Sequence, residues 1–189
     1  MRDKQREEIA LFEKIKDGEI NSFNVLFEEY YDPLCNFAFL FLKNKEQTEE
    51  IVSDVFTKIW QKRNEIFITE SLRSYLYKMT RNAIVSHFRK EKHDFVLLNI
   101  DFDIYEFITP ETLLLHEELE EKINQLIGGL PKKSGLVFRM KKVDGLKYKE
   151  IAEILDISEK TVENHITNAV KKIKALLEEN PEMIKYFKK

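Results

Sequence analysis

Asn164, Asn168 and Lys171, with Lys160 and Thr161 ahead of them, recur at helical spacing within SEKTVENHITNAVKKIKALL. An asparagine amide can pair bidentately with adenine, and a lysine can reach guanine or a phosphate. This set therefore suits reading of the major groove of duplex DNA. A second set lies in SLRSYLYKMTRNAIVSHFRK, where Ser74, Lys78, Arg81, Asn82, Val85 and Arg89 share a helical face flanked by Tyr75 and Tyr77. Single-stranded DNA needs cations for its phosphates and flat rings for its exposed bases, each stack contributing about 1–3 kcal/mol. A solvated helix face uses the same residue types, and the second set taken alone would read as an ordinary basic surface helix.

The elements that must position these residues are readable. Gly145 to Leu177 has the layout of a helix-turn-helix. Ile151, Ala152, Ile154 and Leu155 give a first helix, Lys147 to Leu155, an apolar side, and Asp156, Ile157 and Ser158 make the turn. Ser158 is a good N-cap, and Glu159 follows where the helix dipole favours an acid. In the second helix Val162, Ile166, Ala169, Val170, Ile173 and Leu177 form one apolar stripe, with His165 and Lys172 placed among the outward polar residues.

Helices also fill the first half. Glu7 to Asp17 is amphipathic and stops at Gly18; Asn21 or Ser22 is the expected cap of a second helix holding Phe23, Leu26, Phe27, Tyr30 and Leu34. Pro33 should kink or divide that helix, while Phe37, Phe39, Leu40 and Leu42 point to a Phe-rich core. Lys45 to Lys62 is a long helix buried through Ile51–Val52, Val55–Phe56 and Ile59–Trp60, with Glu49, Glu50, Ser53, Asp54 and Thr57 on another side. An acidic face is either solvated or a docking surface for a basic partner. Arg63 to Ser71 is a loop in which Ile66, Phe67 and Ile68 sit between polar residues. The following helix has its expected core side at Leu72, Leu76, Met79, Ala83 and Phe88.

Composition narrows the class. The 189 residues are 43% hydrophobic and 34% charged, as in a soluble globular protein with one domain or two small ones. Five Gly, four Pro and few alternating β-branched runs point to an all-α fold. Cys35 is the single cysteine, which excludes an intrachain disulfide and a cysteine metal cluster and suits a reducing cytoplasm. Phe37 to Leu42 is far too short an apolar run to span a bilayer, and acids in MRDKQREEIALFEK interrupt any signal-peptide core. The net charge of −3 hides a strong segregation. Leu72 to Lys92 carries Arg73, Lys78, Arg81, Arg89, Lys90 and Lys92 against Glu91 alone, whereas His93 to Glu121 has many acids and no Lys or Arg. Local fields govern phosphate binding, so the whole-chain sum is no obstacle. The acidic block reads as a linker over 93–112 between two helical domains, 5–92 and 113–180.

In this order the segments resemble the extracytoplasmic-function group of the bacterial sigma-70 family, which keeps only regions 2 and 4. EEIVSDVFTKIW matches region 2.2, SLRSYLYKMTRNAIVSHFRK matches regions 2.3 and 2.4, and LPKKSGLVFRMKKVDGLKYKEIAEILDISEKTVENHITNAVKKIKALL matches region 4. The resemblance implies a promoter-specificity subunit of RNA polymerase with no catalytic residue, metal, cofactor or small-molecule substrate. It implies that Glu50, Ser53, Asp54, Thr57 and Trp60 dock on an Arg-rich coiled coil of core RNA polymerase. The loop Asn64 to Ser71, with Ile66 and Phe67, would capture a base flipped from the −10 element. Lys78, Arg81, Asn82 and Ser86 would hold the non-template strand, and Arg89 and Lys90 its phosphates. Lys160, Thr161, Glu163, Asn164, Thr167, Asn168 and Lys171 would meet the −35 duplex. A dedicated anti-sigma factor, often membrane-anchored in this group, is the implied regulator. Two features depart from the pattern: Glu163, Asn164, His165 and Asn168 stand where many relatives carry Arg, and the apolar segment at Phe67 to Thr69 is this chain's own.

Three other readings fit these residues less well. An activator of the response-regulator type shares the ISEKTVENHI turn but needs a receiver domain with a phosphorylatable Asp at a strand end, against a helical first half here. A sigma mimic that only binds an anti-sigma factor has no need of Arg81, Asn82, Arg89 or a Lys-bearing recognition helix. An enzyme is disfavoured, because His87, His93, His116 and His165 lack metal-ligand spacing and no Gly-rich phosphate loop occurs.

Overall fold

All regular structure among the described residues, 2–68, 71–90 and 128–179 of a computed structural model, is helical. The main helices are α1 (Arg2–Lys16), α2 (Ile20–Leu42), α3 (Lys45–Lys62), α4 (Leu72–Lys90), α5 (Lys132–Lys142), α6 (Tyr148–Leu155) and α7 (Glu159–Glu179). The chain divides into two compact units, 1–102 with α1 to α4 and 103–189 with α5 to α7. The stretch expected as a linker, 93–112, lies outside the described residues, as do Thr69 and Glu70 of the aromatic loop.

In the first unit α2 packs on α1, α3 and α4, and α3 packs on α4. The α2–α3 junction is a two-residue turn. Lys43 takes the left-handed conformation (φ 54°) and its N–H donates to the Phe39 carbonyl, while Asn44 Oδ1 accepts from the Gln47 N–H at 3.0 Å to cap α3. So short a link forces neighbouring antiparallel helices. Ser71 caps α4 in the same manner, its Oγ accepting from the Ser74 N–H at 3.2 Å. Leu26, Leu34, Val52, Val55, Ile59 and Leu76 fill the centre, with Phe37 edge-on to Tyr77 at 5.1 Å between ring centroids.

Several local expectations are corrected. Neither Asn21 nor Ser22 caps α2: Glu19 holds the cap position, and its carboxylate accepts from the Ser22 hydroxyl at 3.0 Å. Pro33 does not divide α2, which runs on to bury Leu34, Phe37, Ala38 and Leu40. A proline in a helix interior costs about 3 kcal/mol or more, and four such side chains return more than that on burial. The buried side of α4 is Leu72, Ser74, Leu76, Tyr77, Thr80 and Ile84. Ser74 and Tyr77 thus belong to the core and not to the polar face, while Met79, Ala83 and Phe88 are half-buried.

In the second unit α7 packs on both α5 and α6. Lys147 precedes α6, and its N–H donates to the Glu150 carboxylate at 2.7 Å. Asp156 ends the helix in the left-handed conformation (φ 57°), and Ser158 Oγ accepts from the Thr161 N–H at 3.0 Å to start α7. The helix-turn-helix reading of 147–177 holds in its turn and cap. Val170 is a correction: it is 37% exposed and leaves the core to Val162, Ile166 and Ala169.

Candidate nucleic-acid and partner-binding surfaces

Along α3, the buried stripe Ile51, Val52, Val55, Phe56 and Ile59 leaves Glu50, Ser53, Asp54 and Thr57 exposed on the opposite ridge. Trp60 closes that ridge. Its ring meets Phe23 at 5.1 Å, and the Arg63 guanidinium lies 4.5 Å from its centroid while donating to the Trp60 carbonyl at 2.6 Å. Trp60 is thereby held half-buried at the junction of α2 and α3.

Along α4, Lys78, Asn82, Ser86, Arg89 and Lys90 are exposed and Arg81 is half-buried. Arg81 Nε is buried and without a hydrogen-bond partner, so the Nε edge of the guanidinium is turned into the helix packing and not toward solvent. Glu50 and Asp54 of α3 and Asn82, Ser86 and Lys90 of α4 line one groove of about 400 Å³, together with Lys58 and His87. Residues expected to serve two different partners therefore share one wall-to-wall groove. In the loop ahead of α4 the two apolar residues divide: Ile66 is buried as an anchor, whereas Phe67 is 76% exposed. Of the two side chains expected at this loop, Phe67 is thus the one open to solvent and Ile66 is not. Lys16 of α1 places its ammonium 5.3 Å from the centre of that ring. No feature of the sequence foretold this contact, because α1 and the loop are distant along the chain.

On α7, Lys160 Nζ pairs with Glu163 Oε2 at 2.7 Å, both side chains more than half exposed, a pairing worth little in water. Thr161 is engaged by the Ser158 cap, and the Thr167 hydroxyl donates to the Glu163 carbonyl at 2.9 Å. Asn164, Asn168 and Lys171 stay exposed outside these contacts. Of the seven candidates on α7, these three are the readiest to reach a base edge or a phosphate.

His165 departs from the polar face assigned to it. It is half-buried, and its Nδ1 lies 3.2 Å from Ser134 Oγ at the start of α5, a residue the sequence reading passed over. Burial, and then the nearby Lys133 ammonium, hold its pKa below the ordinary 6.5. A base whose folded pKa is depressed takes up its proton more readily when unfolded. The α5–α7 contact should therefore be at full strength at neutral pH, and weaken as pH falls through 6.5 towards the folded value. Amide hydrogen exchange in α5 and α7 should accelerate over that window in the natural chain. In His165→Gln it should be independent of pH once intrinsic rates are divided out. Equal pH dependence in both would remove the role given to this contact.

Among the described residues, no helix is long and apolar enough to cross a membrane, and no group of three or more His, Cys, Asp or Glu side chains could hold a metal ion. Cys35 is half-buried, and its thiol is pushed up to about 11 chiefly by burial, which makes it a poor nucleophile.

Comparison with known proteins agrees with the layout. Residues 26–93 match Sigma-70 region 2, and residues 120–173 match Sigma-70, region 4. The chain is 27% identical over 163 residues to the ECF RNA polymerase sigma factor SigW of Bacillus subtilis, covering 81% of this chain and 87% of that one. It is 24% identical over 170 residues to the ECF RNA polymerase sigma-E factor of Escherichia coli K12, covering 85% and 88%. Its fold is similar to that of CnrH, solved in complex with the cytosolic domain of CnrY, with a TM-score of 0.60 at 20% identity over 90% of this chain and 97% of that one. It is also similar to RpoE of Bartonella quintana, solved with the anti-sigma factor NepR, with a TM-score of 0.52 at 18% identity over 95% and 99%.

Proposed function

The chain belongs to the extracytoplasmic-function group of the sigma-70 family, and on that premise we propose how its two units divide promoter recognition. It is a promoter-specificity subunit of bacterial RNA polymerase, whose partners are core polymerase and promoter DNA. Region 2 spans 5–92, an acidic linker 93–112, and region 4 113–180. The α3 ridge of Glu50, Ser53, Asp54 and Thr57, ending at Trp60, docks on the Arg-rich coiled coil of core. Lys78, Arg81, Asn82 and Ser86 hold the non-template strand of the −10 element, Arg89 and Lys90 take its phosphates, and Phe67 stacks on a flipped base. On α7, Asn164 and Asn168 read −35 base edges and Lys171 takes a phosphate, with Lys160, Thr161, Glu163 and Thr167 at the margins.

The observation that carries this reading is the shared groove, in which an acidic wall from α3 faces a polar and basic wall from α4. A protein-docking ridge and a strand-binding face on one small bundle let a single domain tie polymerase to open DNA. Extruding a base costs a few kcal/mol. A stack of about 1–3 kcal/mol, phosphate contacts and core's own binding energy together offset it. No catalytic residue takes part, and the chain acts in the cytoplasm. Two fold neighbours were solved with partners, one of them an anti-sigma factor. We extend that relation here: an anti-sigma factor, held at the membrane, keeps this chain from core.

The test is DNA binding with and without core. The isolated chain should bind a dependent promoter weakly, because the unstacked −10 strand that its first unit captures is exposed only where polymerase opens the duplex. Added core should create specific binding. Tight, sequence-specific duplex binding by the chain alone, unchanged by core, would contradict this and favour the activator reading.

A further inference from the structure

Lys16 closes α1 and lies ahead of residues 26–93, the stretch that matches region 2. Its position is nonetheless well fixed. Phe12 and Ile15 are fully buried and anchor the last turns of α1. Gly18, at φ +87°, ends the helix, with its N–H donating to the Ile15 carbonyl at 3.0 Å and the Glu19 N–H to the Lys14 carbonyl at 3.0 Å. The carbonyl end of a helix favours a cation. The Lys16 stem is largely covered, and its ammonium meets the Phe12 ring at 5.8 Å, the Phe67 ring at 5.3 Å and Glu13 Oε1 at 2.8 Å. Both ring distances lie within cation–π range.

A lone exposed aromatic means little. A 76% exposed ring with a fixed ammonium beside it, in a loop anchored by buried Ile66, is a stacking platform with a cation next to it. We propose that Lys16 is a DNA-contacting residue: its ammonium sets the Phe67 ring and takes the phosphate of the nucleotide that stacks there. This rests on the reading of 64–71 as the base-capturing loop. Glu13 is the resident counter-ion, and its side chain is 60% exposed. Such a surface pair is weak, so a phosphate can replace the carboxylate at little cost. The segment before the region 2 match thus supplies a charge to the capture site.

The experiment uses holoenzyme assembled from core polymerase and the full chain, and a fluorescent single-stranded oligonucleotide recovered by that holoenzyme from a randomised pool. Phe67→Leu should weaken binding at least about fivefold through loss of the stack. Lys16→Gln should weaken it about three- to tenfold at low salt and make the salt dependence shallower by about 0.7 in log–log slope, the value for one phosphate on a single strand. Lys16→Arg should behave as the natural chain, and Glu13→Gln should bind more tightly. A purely structural role for Lys16 would leave the salt slope and the Glu13→Gln affinity unchanged. If Phe67→Leu weakens binding but Lys16→Gln keeps natural affinity and slope, the proposal is overturned and the loop reading stands. If Phe67→Leu is without effect, or the pool yields no preferred strand, the loop reading itself fails and the proposal with it. Should Lys16→Gln not fold, Glu13→Gln decides: tighter binding supports the contact and unchanged binding overturns it.

Discussion

Reversing both charges in Glu50→Lys/Asp54→Lys is expected to abolish association with core polymerase while the chain stays folded. Both residues are exposed beside the fully buried Val52, Val55 and Ile59, so stability should change by no more than about 0.5 kcal/mol per site. Against an Arg-rich partner each reversal replaces attraction by repulsion. Like-charge contacts across an interface cost several kcal/mol, and about 1.4 kcal/mol is tenfold in affinity. A loss of at least about a hundredfold in core affinity follows. The groove adds a control. Glu50 and Asp54 face the same space as Asn82, Ser86 and Lys90, so new lysines there should raise attraction for a DNA strand. Lost transcription with undiminished binding of the isolated chain to single-stranded DNA would locate the defect in docking on core. Normal core affinity in a folded double mutant would remove the assignment of the α3 ridge.

The second large effect separates the two DNA-reading units. Asn164→Ala and Asn168→Ala should each weaken −35 binding by about 1–3 kcal/mol and relax preference at individual base pairs, as loss of a bidentate amide contact requires. Lys171→Ala should weaken binding about equally on every sequence and lower the salt slope by about one unit. Asn82→Ala should leave initial duplex binding nearly intact and impair opening, since its partner is an unstacked strand. Footprinting for binding and permanganate reactivity for opening, on one dependent promoter, measure all four. Unimpaired opening in Asn82→Ala, or unchanged base preference in both α7 asparagine mutants, would break the residue map even with the family standing.

Where local chemistry decides, the sequence was a good guide. The bounds of α3, Lys45–Lys62, follow from an unbroken apolar stripe, and the turn at Asp156 to Ser158 from a capping serine. Tertiary packing set the rest. Pro33 reads as a break until α2 is seen packed on three other helices. Ser74 and Tyr77 fall beside the basic residues by periodicity, yet the packing of α4 against α2 and α3 buries them. His165 faces Ser134 for the same reason: its orientation belongs to the α5–α7 contact and not to α7 alone. Lys16 against Phe67 joins two segments whose only link is the fold.

The most direct measurement is mapping of transcription start sites on genomic DNA of the source bacterium by core polymerase with and without this chain. With the chain present, initiation should concentrate at discrete sites that share two sequence blocks at constant spacing, and these sites should be silent with core alone. Starts that are the same with and without the chain, or that share no upstream blocks, would contradict its role as the subunit that addresses polymerase to promoters.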